Sequence, residues 1–263
     1  MSLLLPRRAQ VLFKDGLHYR KSCFEHGVKT LGYAITPYIN DPRSGDLLVI
    51  WNRSFRGSED AQRFERGGAT VLVAENGLLG KGFRGGNWFS LALHHVAGCG
   101  GAFPDLGPSR WDAMGVALAP WHLDGGDIVI LGQRGIGEYG VKSPEGWEHQ
   151  TQARVGGRIR KHPGKTGDGV PLAEDLSNTS AVATWASSAA LQALALGVPV
   201  WYAHPNWVGR TAARPLEVFG KIAPARDDAA RLAMFRRIAW CMWEIGEIDS
   251  GAAFKHLLGE HSA

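Results

Sequence analysis

The chain has 263 residues, of which 44% are hydrophobic and 21% charged, with a formal net charge of +4; this excludes a disordered or fibrous protein and suits one large or two small cored domains. Its three cysteines, Cys23, Cys99 and Cys241, are far apart with no CxxC spacing, which argues against a disulfide framework or a thiolate zinc site and predicts a reducing, cytoplasmic setting. The 35 glycines, placed where strands turn into loops, favour a many-loop α/β protein.

From the N-terminus, Met1-Ser-Leu-Leu-Leu-Pro-Arg-Arg carries an apolar run too short for an export signal, with its charges on the wrong side. Hydrophobic patterning then predicts strands near Gln10 to Phe13, Thr30 to Ile35, Asp46 to Trp51, Thr70 to Ala74 and Phe89 to Leu93. Helices are predicted near His18 to His26 and Ser58 to Arg66. Pro120 and Asp124-Gly-Gly-Asp127 interrupt this alternation, and a domain boundary is placed there, giving lobes of residues 1–122 and 123–263. Residues 1–120 hold 14 Lys and Arg against 10 Asp and Glu, while residues 121–263 hold 15 of each, so the basic excess lies in the first lobe and suits an anionic partner.

The second lobe opens on strand Ile128 to Leu131. It continues with a helix near Pro144 to Arg154, strands at Gly157 to Arg160, Ala181 to Thr184 and Val198 to Tyr202, and a long terminal helix. In that last helix Leu232, Phe235, Ala239, Met242 and Ile245 keep helical spacing and are expected in the core. Residues 181–203 carry no charge, yet Ser187, Ser188, Gln192, Gly197 and Pro199 divide them into strand, helix and strand, so no membrane span is expected. The expected fold is α/β, with two small Rossmann-like lobes facing a central cleft.

Four segments can carry chemistry. Val71-Leu-Val-Ala-Glu75-Asn-Gly77 is an apolar strand ending in a carboxylate, and ligands of open α/β sheets bind at carboxyl ends, so Glu75 is the candidate general base. The competing reading is a carboxylate that caps a turn or pairs with Lys81 or Arg84. Gln133-Arg134-Gly135-Ile-Gly137 follows the next lobe's first strand, where glycines admit a phosphate and Arg134 neutralises it. A tight strand-to-loop turn reads the same way, and the spacing is neither a dinucleotide fingerprint nor a P-loop. Arg160, His162 and Pro163 would hold a nucleotide phosphate or ribose in a fixed loop. Ser187 and Ser188 open a helix, where N-capping and phosphate binding use the same free N–H groups.

The order of these segments resembles the capsule polysaccharide biosynthesis family, which includes the Kdo transferases. Ala74-Glu75-Asn76-Gly77 is similar to that family's acidic-Gly segment. Gly132-Gln133-Arg134, Lys161-His162-Pro163, Trp185 to Val200 and Pro205-Asn-Trp-Val-Gly209 follow as its glutamine, His-Pro, serine-helix and aromatic-glycine elements. The resemblance implies a GT-B fold, Glu75 as base, and His162, Ser187 and Ser188 on the nucleotide of a sugar donor. Asn76 stands where the family has an acidic residue, and the family's following arginine is either replaced by Lys81 or absent. The short chain, with Val49-Ile-Trp-Asn52-Arg53 and Gln133-Arg-Gly-Ile-Gly137, also resembles glycosyltransferase-like proteins of tailed bacteriophages, which implies DNA with hydroxymethylated pyrimidines as acceptor.

On that reading Arg53, Arg56, Lys81 and Arg84 would contact phosphates and Trp51 or Trp88 would stack on an unstacked base, although each tryptophan also suits plain packing. A lipid-linked or surface polysaccharide is the alternative acceptor, and a non-catalytic nucleotide-sugar or nucleic-acid binding module is a third reading. No cofactor is expected besides the nucleotide sugar as co-substrate. Nor is a metal: Asp124 and Asp127 flank a turn, and His94 and His95 point to opposite faces of a strand.

Overall fold

In the computed structural model, which describes residues 6–14, 16–123, 125–138, 140–164 and 169–259, the chain forms two units, each built on its own sheet. The first begins with β1 (Arg8–Leu12), α1 (Lys21–Thr30), β2 (Ala34–Ile35), β3 (Leu47–Trp51), α2 (Arg56–Arg66), β4 (Thr70–Asn76) and β5 (Trp88–Leu93). Helix α1 starts at Lys21 rather than His18 because Arg20 takes a left-handed φ of 52° just ahead of it. It runs on to Thr30, which leaves only Ala34 and Ile35 of the strand expected from Thr30 onward. Ala61 and Phe64 bury one side of α2, and Arg63 and Arg66 occupy its last turn, where the helix dipole favours cations.

The second unit follows with α3 (Ser109–Met114), β6 (Asp127–Leu131), α4 (Trp147–Val155), β7 (Arg158–Arg160), α5 (Leu172–Asp175), β8 (Thr179–Thr184), α6 (Ala189–Ala195), β9 (Val200–Tyr202), β10 (Arg214–Pro215) and α7 (Asp228–Ile238). Its five strands are all parallel, in the order β10-β9-β8-β6-β7. Ile130, Ala181, Ala183, Trp147 and Trp201 form the core on one face. Gly197, at φ 82°, closes α6; a Cβ there would lie 1.9 Å from the Pro120 carbonyl oxygen, so only glycine lets residues 119–122 pass so near.

The long terminal helix expected from the spacing of Leu232 to Ile245 does not form as one piece. Helix α7 ends at Ile238, and Met242–Glu244 is instead a strand, β11, antiparallel to β5, with Met242 opposite Ser90 and Trp243 opposite Phe89. A capping box then starts α8 (Ile245–Asp249): Glu244 accepts from the Gly246 N–H and Glu247 from the Glu244 N–H, both at 2.9 Å. After it comes α9 (Ala252–Leu257). Phe235, Ala239 and Met242 are buried as expected, but the burial divides between two units, which one helical period cannot represent.

That return to the first unit changes the partition. Residues 1–105 and 240–263 form one unit and residues 106–239 the other, where the sequence reading divides the chain at 122/123 and gives its end to the second lobe. The first sheet is then six-stranded, ordered β11-β5-β4-β3-β1-β2, with β4, β3, β1 and β2 parallel and β5 antiparallel to β4. On one face Val11, Val49, Leu72, Ala74 and Phe89 pack against Phe24 and Val28 of α1, Trp243, and Phe254 of α9.

Candidate functional site

In the second unit the chain runs from β6 out to β7 on one side, then returns across to β8 on the other, so the strand order reverses between β6 and β8. That reversal opens a crevice at the carboxyl ends of the strands, the general ligand position of open α/β sheets. Gln133 leaves β6 there and is fixed at both ends: its N–H donates to Glu148 Oε1 at 3.1 Å, and its Oε1 accepts from the Ala186 N–H at 3.4 Å. The second bond spans the reversal and ties the loop after β6 to the segment after β8. Gly132 donates to the Arg160 carbonyl at 2.9 Å, tying that loop to the end of β7 as well.

Arg134 and Gly135 are exposed at the head of this loop, and Gly135 holds φ 61°, which a side chain rarely adopts. His162 is exposed after β7. Its Nδ1 accepts from the Gly164 N–H at 3.0 Å, so the ring proton sits on Nε2 and points away from that bond. Desolvation, with the nearby charge of Arg134 adding to it, holds this imidazole below its ordinary value. Pro163 is exposed beside it.

After β8, Thr184 Oγ1 accepts from the Ser187 N–H at 2.9 Å and Ser187 Oγ accepts from the Ala189 N–H at 3.2 Å. Ser187 therefore caps the start of α6, leaving its own hydroxyl proton to donate elsewhere. Ser188 is exposed and forms no capping bond. Gln133, Arg134, His162 and both serines thus gather at the ends of three adjacent parallel strands.

Arg160 does not join them. Its guanidinium is paired with Asp175 and donates to the Val170 carbonyl at 2.8 Å, so the phosphate role read for it gives way to a structural strut. Asp127 is likewise spent on Arg158 at 2.6 Å, and Asp124 lies outside the described residues. Among the described residues no group of three His, Cys, Asp or Glu has metal-holding geometry.

Two residues given no role of their own in the sequence reading hold the loop after β6 in place. Trp185 Nε1 donates to the Val141 carbonyl at 2.9 Å, and His204 Nε2 donates to the Gly140 carbonyl at 2.8 Å while its Nδ1 accepts from the Asn206 N–H at 3.1 Å. Their rings meet edge to face at 5.5 Å. Trp185 follows β8 directly and His204 comes two residues after the end of β9, the one positional signal that marks them in sequence.

In the first unit Glu75 follows Val71 and Val73 along β4, on the face away from the aromatic cluster, with Ser90 cross-strand. It is partly exposed, and burial of the carboxyl pushes its pKa up to about 7. Among the described residues nothing hydrogen-bonds to or pairs with this carboxylate. Lys81 donates instead to His18, through Nδ1 and the backbone carbonyl, each at 3.0 Å, and Arg84 is exposed; the alternative of Glu75 paired with either is not what forms. A lone carboxyl near 7 at the end of a parallel strand has the protonation behaviour of a general base.

The residues read as acceptor contacts separate into two kinds. Arg53 is buried, with a two-pronged ion pair to Glu65 at 2.6 and 2.8 Å and a further bond to the His94 carbonyl, which corrects its reading as a phosphate contact. Trp51 packs edge to face with Tyr19, Phe13 and Phe89 at 4.9, 5.8 and 6.2 Å, and is a wall of the core rather than an open platform. Trp88 is half-buried against Phe83 at 5.4 Å. Arg56 and Arg84 are exposed, and Lys81 is half-buried.

Two α/β units, one on an all-parallel sheet and one on a mostly parallel sheet, define a GT-B-like α/β fold. Two solved structures are similar to this chain in that fold. Thermosulfurimonas dismutans KpsC, described as a beta Kdo 2,7 transferase, matches at TM-score 0.54 and 12% identity over 94% of this chain and 99% of the other. The same organism's KpsC described as a beta Kdo 2,4 transferase matches at TM-score 0.53 and 12% identity over 93% and 98%. No protein-family model and no curated protein sequence matches the chain. At 12% identity the likeness is one of architecture. Among the described residues no helix is long and apolar enough to cross a membrane.

Proposed function

We propose that the chain is a nucleotide-sugar-dependent glycosyltransferase, with the nucleotide held by the second unit and Glu75 of the first unit as general base. The observation that carries the reading is the convergence of Gln133, Arg134, His162, Ser187 and Ser188 around the strand-order reversal. Arg134 supplies charge to a phosphate, the Nε2–H of His162 and the serine hydroxyls supply neutral donors, and Gly135 admits close approach. In the reaction an acceptor hydroxyl passes its proton to Glu75, its oxygen bonds to the anomeric carbon, and the bond from that carbon to the nucleotide breaks, the electron pair leaving with the phosphate. A carboxyl near 7 is ionised in about half the molecules at neutral pH and takes such a proton readily.

The acceptor carried forward is DNA with hydroxymethylated pyrimidines. The exposed Arg56 and Arg84 and the basic excess of residues 1–120 support an anionic polymer. The test is incubation of purified protein with a mixture of nucleotide sugars and, in separate arms, DNA containing 5-hydroxymethylcytosine or 5-hydroxymethyluracil and an acidic surface polysaccharide, read by mass spectrometry. A one-sugar mass increase on a nucleoside supports the DNA acceptor, and on the glycan alone replaces it. Absence of transfer in every arm, with Glu75→Gln matching wild type in donor hydrolysis, overturns the transferase reading in favour of a binding module.

A further inference from the structure

The loop after β1 has no part in the reaction above, yet it sets Arg20 and His18 beside Lys81 with, among the described residues, no carboxylate paired to any of them. Strand order in the first sheet reverses between β1 and β3, since β2 lies on one side of β1 and β3 and β4 on the other. The loop after β1 therefore borders this sheet's own strand-end crevice. His18 and Arg20 lie in that loop, and Lys81 reaches them from the segment after β4.

The Lys81 ammonium donates to His18 Nδ1 at 3.0 Å. For Nδ1 to accept, the imidazole proton sits on Nε2, leaving that N–H unspent. Arg20 Nε is buried with no hydrogen-bond partner. Burial, and then the neighbouring Arg20 charge, hold the Lys81 amine below its ordinary value, while burial and Lys81 do the same to His18. Among the described residues none of the three is paired with a carboxylate. The two cations, Lys81 and Arg20, held together beside a neutral imidazole cost free energy that an anion among them would recover. The rings of Tyr19 and Trp51 stand 4.8 and 5.9 Å from His18 and close one side of it, while the histidine is otherwise exposed and within reach of a dissolved anion.

We propose that His18, Arg20 and Lys81, walled by Tyr19 and Trp51, form an oxyanion-binding site at the carboxyl end of the first sheet, which takes a carboxylate or phosphate carried by the acceptor. Only the word acceptor rests on the transferase reading; the site itself is testable without donor or turnover.

The experiment uses the full chain with 15N-labelled histidine, titrated with inorganic phosphate and separately with acetate, against chloride at matched ionic strength. Saturable binding of either oxyanion, with the His18 resonance moving and its titration midpoint rising, supports the site. Tighter binding of phosphate assigns a phosphoryl group, and tighter binding of acetate a carboxylate. Arg20→Ala and Lys81→Gln are each expected to weaken binding about tenfold or more, as each removes one charge-assisted hydrogen bond. Arg66→Ala, at the exposed end of α2, is expected to leave it unchanged. If Arg20→Ala does not fold, Arg20→Lys and Lys81→Gln carry the test. Shifts that chloride reproduces, or binding that survives loss of Lys81, overturn the proposal. A negative result here leaves the Glu75 assay standing, and inactivity in that assay leaves this titration standing.

Discussion

Replacing Glu75 by Gln is expected to make the protein more stable at alkaline pH while removing transferase activity. The carboxyl's pKa rises from an ordinary 4.5 to about 7 because burial penalises the charged form. A raised folded pKa means that the folded chain binds this proton more tightly than the unfolded one. The group's contribution to stability is therefore fully present below 4.5 and is lost as pH rises toward 7. The interval corresponds to about 3 kcal/mol at about 1.4 kcal/mol per pH unit, and water at the partly exposed carboxyl lowers that to about 1–3 kcal/mol. Glutamine keeps the shape and cannot ionise, so the variant matches wild type near pH 4 and exceeds it by about 1–3 kcal/mol at pH 8. Urea denaturation at both pH values, with hydrogen exchange read on peptides covering β4, measures the difference in the first unit. Equal pH dependence in the two proteins, or a variant less stable at pH 8, would refute the burial argument. A gain in stability joined to loss of rate is the signature of a residue retained for chemistry at a structural cost.

Three further outcomes are expected. His162→Ala should weaken binding of the donor nucleotide about tenfold by calorimetry without altering the melting temperature, whereas Arg160→Ala should lower stability by removing one of the two guanidinium partners of Asp175, the other being Arg158 at 2.9 Å, and the bond to the Val170 carbonyl. Gly197→Ala should destabilise the second unit by about 3 kcal/mol or more, measured by denaturation, because its φ of 82° and the Pro120 oxygen both oppose a Cβ. His204 should make the loop after β6 sensitive to acid: burial lowers its pKa, so its contribution to stability is present above its ordinary 6.5 and lost as pH falls below that value. Protonation would turn its Nδ1 acceptor into a donor facing the Asn206 N–H. Protection of residues 140–146 against hydrogen exchange, corrected for the slower intrinsic exchange in acid, should fall between pH 7.5 and 5 in wild type and be low at both in His204→Ala.

The parallel strands and their exits were legible because apolar runs such as Val71 to Ala74 and Ile128 to Leu131 end in glycine or polar residues. The strand-end positions of Glu75, Gln133, His162 and Ser187 follow from that alone. Partnership was not legible. Nothing local distinguishes Arg53 and Arg160, each consumed by a carboxylate 12 or 15 residues away, from Arg56 and Arg134, which remain exposed. Trp51 suits a platform or plain packing in sequence, and only its neighbours Tyr19, Phe13 and Phe89 decide for packing. The terminal segment misled for a related reason: Phe235, Ala239 and Met242 keep helical spacing, but pairing of Met242–Glu244 with β5 outweighs local helix preference. The Glu244-Ile-Gly-Glu247 capping box was the local sign that one helix ends and another begins.

The pairing of β11 with β5 also orders the events of synthesis. Residues 106–239 are contiguous, so the second unit has all its strands once residue 239 has left the ribosome. The first unit, though begun earlier, waits for residues 240–263, and until then β5 presents a bare strand edge and Phe89 lacks its cross-strand neighbour Trp243. Folding as the chain emerges therefore runs inside out, with the inserted unit maturing first and the N-terminal one held open as a sticky intermediate. A nascent chain stalled short of Met242 should depend on a chaperone for its solubility, and one stalled beyond Leu257 should not.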